Sequence, residues 1–238
     1  MRSILRLARP FANIGRTLRR WLPASTEVRI LSGPLKNCKW LLHSGVGAYW
    51  LGTYEPEQEK LFSTLVKPGM VCYDCGANVG HYTLLFSRLV GPSGRVIAFE
   101  PIPGNIAFLR KHVAINLCSN VIVHEIALSN YDGHTRMRSD DSMSRIDSEG
   151  EVNAVCQRLD SLDFPPPDLM KIDIEGAEID MLAGAESVLR AYHPTIVMAL
   201  HISLERAKEC EEWLSSLGYT VGWSDTSYEM YAIHSSRS

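Results

Sequence analysis

From residue 69 to residue 201 the chain repeats one pattern: a short apolar run, a break containing glycine or an acid, then a longer stretch with apolar residues at helical spacing. The runs cover residues 70–75, 95–100, 121–128, 169–174 and 195–201, and helical patterns fill 80–90, 105–116 and 177–192. In the last of these, Met181, Leu182, Ala185, Val188 and Leu189 share a face. A strand that is apolar throughout has no wet side, so it belongs inside a parallel sheet with helices on both faces. The pattern predicts a doubly wound α/β domain, and 238 residues suffice for one principal core.

Around that core, 28–31 and 39–42 flank "SGPLKN" and suggest an edge hairpin, followed by a lead-in helix over 55–66. At the other end a helix over 204–217 stops at Gly218, and 219–222 with 229–234 read as a closing antiparallel hairpin. Residues 130–151 have no clear period and are rich in Ser, Asp and Gly, which predicts a long surface loop, the natural place for ligand selectivity. The expected organisation is a basic segment over 1–24, a hairpin and lead-in helix over 25–66, and the main domain over 67–238.

Apolar residues make up 45% and charged ones 21%, with a net charge of −3, so nothing global favours a nucleic-acid partner. The average conceals a basic start: six arginines and no acid precede Glu27. Ile4, Leu7, Phe11, Ile14, Leu18 and Leu22 fall opposite most of those arginines on a helical wheel, with an interruption near Pro10. Such a helix either lies on an anionic membrane surface or packs on the domain with a solvated arginine face. Arginines break every apolar run, unlike a secretory signal; an organellar presequence is resembled more closely, though Ser and Thr are few. No stretch is long enough to cross a bilayer.

The six cysteines form no disulfide or zinc framework. Cys72 and Cys75 make a C-x-x-C, but on a strand an offset of three points them to opposite faces, so reduced, buried thiols and a cytoplasmic setting are expected.

Ligands of open parallel sheets bind beyond the carboxyl ends of the strands. There lies "DCGANVG", where Gly76 and Gly80 let backbone approach a ligand and the following helix offers free N–H groups. The spacing is G-x-x-x-G rather than the G-x-G-x-x-G of pyrophosphate sites, and Asp74 would repel a pyrophosphate. Glu100, ending "VIAFEP", is placed to accept hydrogen bonds from ribose hydroxyls. Singly, either acid reads as a cap or a solvated strand end. Together they describe an adenosine whose other end is cationic, which is S-adenosylmethionine.

The run "LGTYEPE…VKPGMVCYDCGANVGHYTLLFSRLVGPSGRVIAFEPIPGN", followed by "LDSL…PDLMKIDIEGAEIDMLAGA", resembles the FkbM family of class I S-adenosylmethionine-dependent methyltransferases. The likeness spans about residues 50–201, with "DCGANVG" and "KIDIEGAE" its distinctive blocks. It implies a Rossmann-like, mostly parallel seven-stranded sheet and O-methylation of sugars, glycans or secondary metabolites. It also implies that Asp74, Gly76, Ala77, Asn78 and Gly80 surround the methionine part and Glu100 the ribose, with Asn105, Ile126 and Ala127 near the adenosine. Two positions depart from the family: Cys75 replaces a small aliphatic residue, and Ala199 stands where an acid is frequent, which weakens a metal ligand there.

An alcohol attacking the activated methyl must be held in line and lose its proton. On a continuing strand Lys171, Asp173 and Glu175 would share one face, a costly arrangement unless paired or facing a site. Lys171 then pairs with a carboxylate, and Asp173 holds the acceptor or orients the cofactor. His201 is either the general base or a structural histidine. Glu178 reads as a helix cap. Asp173 with Glu175 is too little to require a metal, although a Mg²⁺ site stays open, and the other histidines show no ligand spacing. Tyr49, Trp50 and Tyr54 either stack on a sugar or pack the entry segment. The acceptor expected is a carbohydrate or polar small molecule. Protein or RNA methylation, or a weakly active scaffold recruited to membrane through residues 1–24, are the alternatives, and oligomeric state is open.

Overall fold

The computed structural model describes residues 21–140, 143–147, 149–224 and 229–237. The basic amphipathic helix expected over 1–24 falls almost wholly outside them.

Strands β1 (Glu27–Arg29) and β2 (Lys39–Leu41) pair as a small antiparallel sheet of their own. Two helices follow, α1 (Gly47–Leu51) and α2 (Pro56–Leu65). The first half of the main sheet comes next: β3 (Val71–Cys75), α3 (His81–Val90), β4 (Arg95–Phe99), α4 (Pro103–Ile115) and β5 (Val121–His124). A four-stranded side sheet interrupts it, built from β6 (Ala127–Leu128), β7 (Gly133–Asp140), β8 (Met143–Ile146) and β9 (Val152–Gln157). The chain then completes the main sheet with β10 (Leu169–Ile172), α5 (Glu178–Ala183), α6 (Glu186–Tyr192), β11 (Thr195–Ala199), α7 (Leu204–Ser216), β12 (Tyr219–Trp223) and β13 (Glu229–His234).

The seven strands lie in the order β12-β13-β11-β10-β3-β4-β5. All neighbours from β11 to β5 are parallel, and the closing hairpin β12–β13 is antiparallel. This is the doubly wound architecture that the apolar runs require. Successive strands step outward from β3 to β5 and, on the other side, from β10 to β11, so strand order reverses between β3 and β10.

Alternate residues of each strand feed two cores. On one face Cys72, Val96 and Leu169 meet Trp40, Phe62 and Phe86; on the other Cys75, Phe99 and Ile172 meet Met181 and Leu182. Burial of each such large side chain contributes about 1.5–3 kcal/mol relative to exposure. Cys72 and Cys75 therefore lie in different cores, and all six cysteines are free thiols. The small β1–β2 sheet is anchored by Trp40, whose ring stacks 3.8 Å from that of His112 on α4. Among the described residues no helix is long and apolar enough to cross a membrane.

The structure corrects four boundaries. The run over 121–128 is two strands, because β6 leaves the main sheet to pair with β9. Residues 130–151 are not a structureless loop: they hold β7 and β8, and Met137, Ala154 and Cys156 form a small core of their own beneath Ile102. Strand β10 ends at Ile172, so Asp173 and Glu175 sit on the following loop rather than on a strand face shared with Lys171. The helix over 177–192 breaks after Ala183. The cause is Gly184, where a Cβ would lie 1.9 Å from the Ser129 carbonyl oxygen; α6 restarts under Asp160, whose carboxylate accepts from the Ser187 and Val188 N–H groups.

Candidate active site

The carboxyl ends of β3, β4 and β10 open on a cleft with about 830 Å³ of empty space, at the point where strand order reverses. Its floor is a contact between two loops. Gly76, at φ +81°, lies so close to the loop after β10 that a Cβ there would sit 1.8 Å from the Asp173 carbonyl oxygen. Only glycine permits both that angle and that approach.

One end is built around Glu100. Its residue is 4% exposed, and three donors fix it: the Asn78 N–H to Oε2 at 2.8 Å, the Ile102 N–H to Oε1 at 3.0 Å and the Asn105 Nδ2 to Oε1 at 3.2 Å. Burial pushes its carboxyl above the ordinary range, and those donors pull against the shift. A carboxylate has about four acceptor positions, so Oε2 keeps one for a ligand hydroxyl. Asn105, Ile126 and Ala127 line the same end and supply an apolar slot beside that polar group, a fit for a nucleoside.

Beneath the middle lies a buried charge network. Register places Lys171 opposite Asp74 across β10 and β3. Its Nζ is 3.3 Å from Asp74 Oδ1 and 3.4 Å from Asp173 Oδ2, and donates to the Gly76 carbonyl at 2.9 Å. Burial would lower the lysine's pKa, but the two carboxylates outweigh it and raise it above the ordinary value. Asp74, fully buried, also accepts a 2.6 Å hydrogen bond from the Thr83 hydroxyl. Two carboxylates around one ammonium leave a net negative charge below the cleft, favourable to a cationic ligand.

The other end is wetter. His201 Nε2 lies 3.0 Å from Asp173 Oδ1, and its Nδ1 is 3.5 Å from Glu175 Oε2. The bond to Asp173 holds the imidazole pKa up to about 9 against partial burial. For Asp173, burial is overcome by Lys171 and His201, which hold its carboxyl down at about 2. Glu175 sits at φ +54°, a left-handed backbone that turns the chain sharply before Gly176, and burial pushes its carboxyl up. Ligand atoms of Asp173, Glu175 and His201 lie within 4.8 Å of one another, so the fold adds an imidazole to the two acids judged too few for a metal. The ring stands between both carboxylates, and protonated it satisfies the cluster unaided.

Of the residues singled out from sequence, Gly76, Ala77, Asn78, Glu100, Asn105, Ile126, Ala127, Lys171 and Asp173 line the cleft. Asp74 and Gly80 lie behind it. His201 lines an adjoining cleft that shares Glu175, Ala177 and Ile146 with the first. Asp173 and His201 touch directly, so they act as one pair rather than from two sides of an acceptor. Tyr49 and Tyr54 line the cleft with rings 4.4 Å apart, whereas Trp50 packs in the core. Glu178 is fully buried and accepts from the Gly176 N–H at 3.0 Å, so it ties down the loop ahead of α5 rather than capping the helix, whose start has no side-chain cap. Sequence reasoning passed over His81 and Tyr82, which open α3 and line the cleft, and Met137 and Ile146 from the side sheet. The signal for His81 was its place directly after the second glycine of the turn.

Residues 74–221 match the family model described as the Methyltransferase FkbM domain. The chain is 24% identical over 199 residues to Methyltransferase 1 of Beauveria bassiana (strain ARSEF 2860), covering 69% of this chain and 80% of that protein. Among solved structures it resembles Methyltransferase FkbM from Methylobacillus flagellatus KT, with a TM-score of 0.56 and 20% identity. That match covers 76% of this chain and 51% of the other, so the chain spans about half of that relative. Precorrin-6y C5,15-methyltransferase from Geobacter metallireducens GS-15 aligns with a TM-score of 0.51 and 20% identity over 76% of this chain and 87% of its own. With "DCGANVG" and "KIDIEGAE" facing each other across the cleft floor, the sequence match and the fold coincide: the chain belongs to the FkbM family of S-adenosylmethionine-dependent methyltransferases.

Proposed function

We propose that this protein methylates a hydroxyl oxygen of a carbohydrate or a similarly polar small molecule. The observation that carries the reading is the Asp173–His201 pair beside the cleft, where an acid orients an imidazole that is still open to solvent.

S-adenosylmethionine supplies a methyl group on a cationic sulfur, which leaves with the electrons of the broken bond. The chain's task is then to bind, to orient and to receive one proton. Glu100 and Asn105 would hold the ribose, and the net negative charge of the Asp74–Lys171–Asp173 network would favour the cationic donor over its neutral product. Asp173, too weak a base at a pKa of about 2, fixes the ring of His201 through Nε2. The longer contact of Nδ1 with Glu175 is the one an acceptor hydroxyl can displace, which makes Nδ1 the proton acceptor. Tyr49 and Tyr54 offer aromatic faces suited to the apolar side of a sugar ring.

A net charge of −3 gives an RNA backbone no general attraction. Incubation with S-adenosylmethionine and a panel of glycans, metabolites, RNA and protein, read by mass spectrometry, tests the proposal. One methyl on an oxygen of a small polar acceptor is expected, and a methyl found only on nitrogen, carbon, RNA or protein overturns it.

A further inference from the structure

The mechanism above places the base but leaves the far wall of its cleft without a role. His201 lines the adjoining cleft, which has about 930 Å³ of empty space, room for a sugar ring and a substituent. Ile146 and Ala177 belong to both clefts, so an acceptor with its reacting hydroxyl at His201 Nδ1 can extend from one into the other. Charge decides what it meets there.

Among the described residues, four that carry or can carry charge line that cleft: Glu175, Asp180, His201 and Arg206. Three have partners. Glu175 lies 3.5 Å from His201 Nδ1, His201 is bound to Asp173 at 3.0 Å, and Asp180 Oδ1 accepts from the Asn130 amide at 3.0 Å. Arg206, in the first turn of α7, is held only through its backbone N–H, which donates to the Ser203 hydroxyl at 3.4 Å. Its guanidinium is exposed and makes no hydrogen bond or ion pair among the described residues. Every other arginine with a described side chain donates to a carbonyl or a carboxylate, except Arg95, which opens β4 at the opposite end of the sheet. Lys171, the remaining lysine or arginine of the two clefts, is taken up by Asp74, Asp173 and the Gly76 carbonyl. The unspent donors of the acceptor's cleft are therefore those of Arg206.

A guanidinium offers a planar fork of N–H groups that matches the oxygens of a carboxylate or a phosphate. An anion placed elsewhere in this cleft faces Glu175 or Asp180, which fixes the direction from which it can be held. We propose that Arg206 binds an anionic substituent, a carboxylate or a phosphate, on the hydroxyl-bearing acceptor, so that an acidic sugar or a sugar phosphate is preferred to a neutral one. Arg206 is a specificity residue, remote from the transferred proton, and Ile146 and Ile202 supply apolar wall beside it. The assignment rests on the O-methylation reading of the cleft and names the acceptor class within it.

Methyl transfer from S-adenosylmethionine by the full chain, read by mass spectrometry and steady-state rates, tests it on three matched pairs: methyl glucuronide against methyl glucoside, galacturonate against galactose, and glucose 6-phosphate against glucose. In at least one pair the charged member is expected to be favoured in kcat/KM by about 10- to 30-fold, the lower range of a charged hydrogen bond, and the pair that shows it tells carboxylate from phosphate. In Arg206→Ala that preference should shrink to about threefold or less with the loss carried by KM, and Arg206→Lys should restore part of it. An arginine with only a structural role would move both members of a pair alike. Neutral members methylated as well as or better than charged ones, or a preference that survives in Arg206→Ala, overturns the assignment and leaves O-methylation standing. A panel in which no sugar gains a methyl on oxygen sinks the reading beneath it, a distinct result.

Discussion

The two ends of the cleft differ in how much the protein has settled before any ligand arrives. At the Glu100 end, a 4% exposed carboxylate is held by two backbone N–H groups and one amide, and one acceptor position is left. At the His201 end, the side chains of His201 and Asp173 are 40% and 30% exposed, and the ring divides itself between two acids. The first end suits a ligand that never changes; the second suits one that must enter, give up a proton and leave. Rigid positioning and adjustable chemistry are separated along one groove.

Four measurements break or sharpen that contrast. The largest effect is expected from His201→Ala: turnover should fall by about 10²- to 10⁴-fold, the usual worth of a general base. Cofactor affinity should change by less than about threefold, because His201 touches only the adjustable end. A parallel loss of affinity would mean that the two ends are not separable.

Next comes Lys171→Met, which leaves Asp74 buried without its cation and should cost about 3–5 kcal/mol in denaturant unfolding. Adding Asp74→Asn should recover part of that loss. Full stability in the single variant would show that the network is not what braces the floor.

Glu100→Gln places an amide NH₂ where N–H donors already point, and should weaken S-adenosylmethionine binding by roughly 10- to 100-fold with the fold retained by circular dichroism. Unchanged affinity would remove Glu100 from the ribose site.

The smallest effect is a pH dependence. His201 is raised to about 9, so the stability from its ion pairs is fully present below its unfolded value near 6.5 and is lost as pH rises through about 9. Proton acceptance needs the neutral ring, so kcat/KM should climb about tenfold per pH unit from 7 towards 9 while that stabilisation declines. In Asp173→Asn the ascent should move to lower pH; a profile flat across this range would exclude His201 as the base.

Much of the fixed end was legible in the sequence, and much of the adjustable end was not. Gly76, Asn78 and Glu100 follow from where glycines and acids fall at the ends of apolar runs, a local signal. The Lys171–Asp74 pair depends on register between strands almost a hundred residues apart, so sequence supplied the residue types but not their partners. The strand assumed to carry Asp173 and Glu175 stops at Ile172, because the loop bends to let Gly76 pass. The side sheet escaped detection because its inward residues, such as Thr135, Met137, Ala154 and Cys156, are few and mostly small, and exposed apolar residues such as Val155 and Ile146 blur the alternation. Only the alternation of Val152, Ala154 and Cys156 hinted at it. Gly184 was visible, but the carbonyl of Ser129 that forbids any side chain there was not.

The side sheet carries a consequence of its own. Ile146 is contributed from β8 to both clefts, on a hairpin anchored by its own small core rather than by the main one. Remodelling that tip leaves Glu100, the Gly76 floor and the strand register untouched. A change at that tip therefore reshapes the wall common to both clefts while the groups around Glu100 stay as they are.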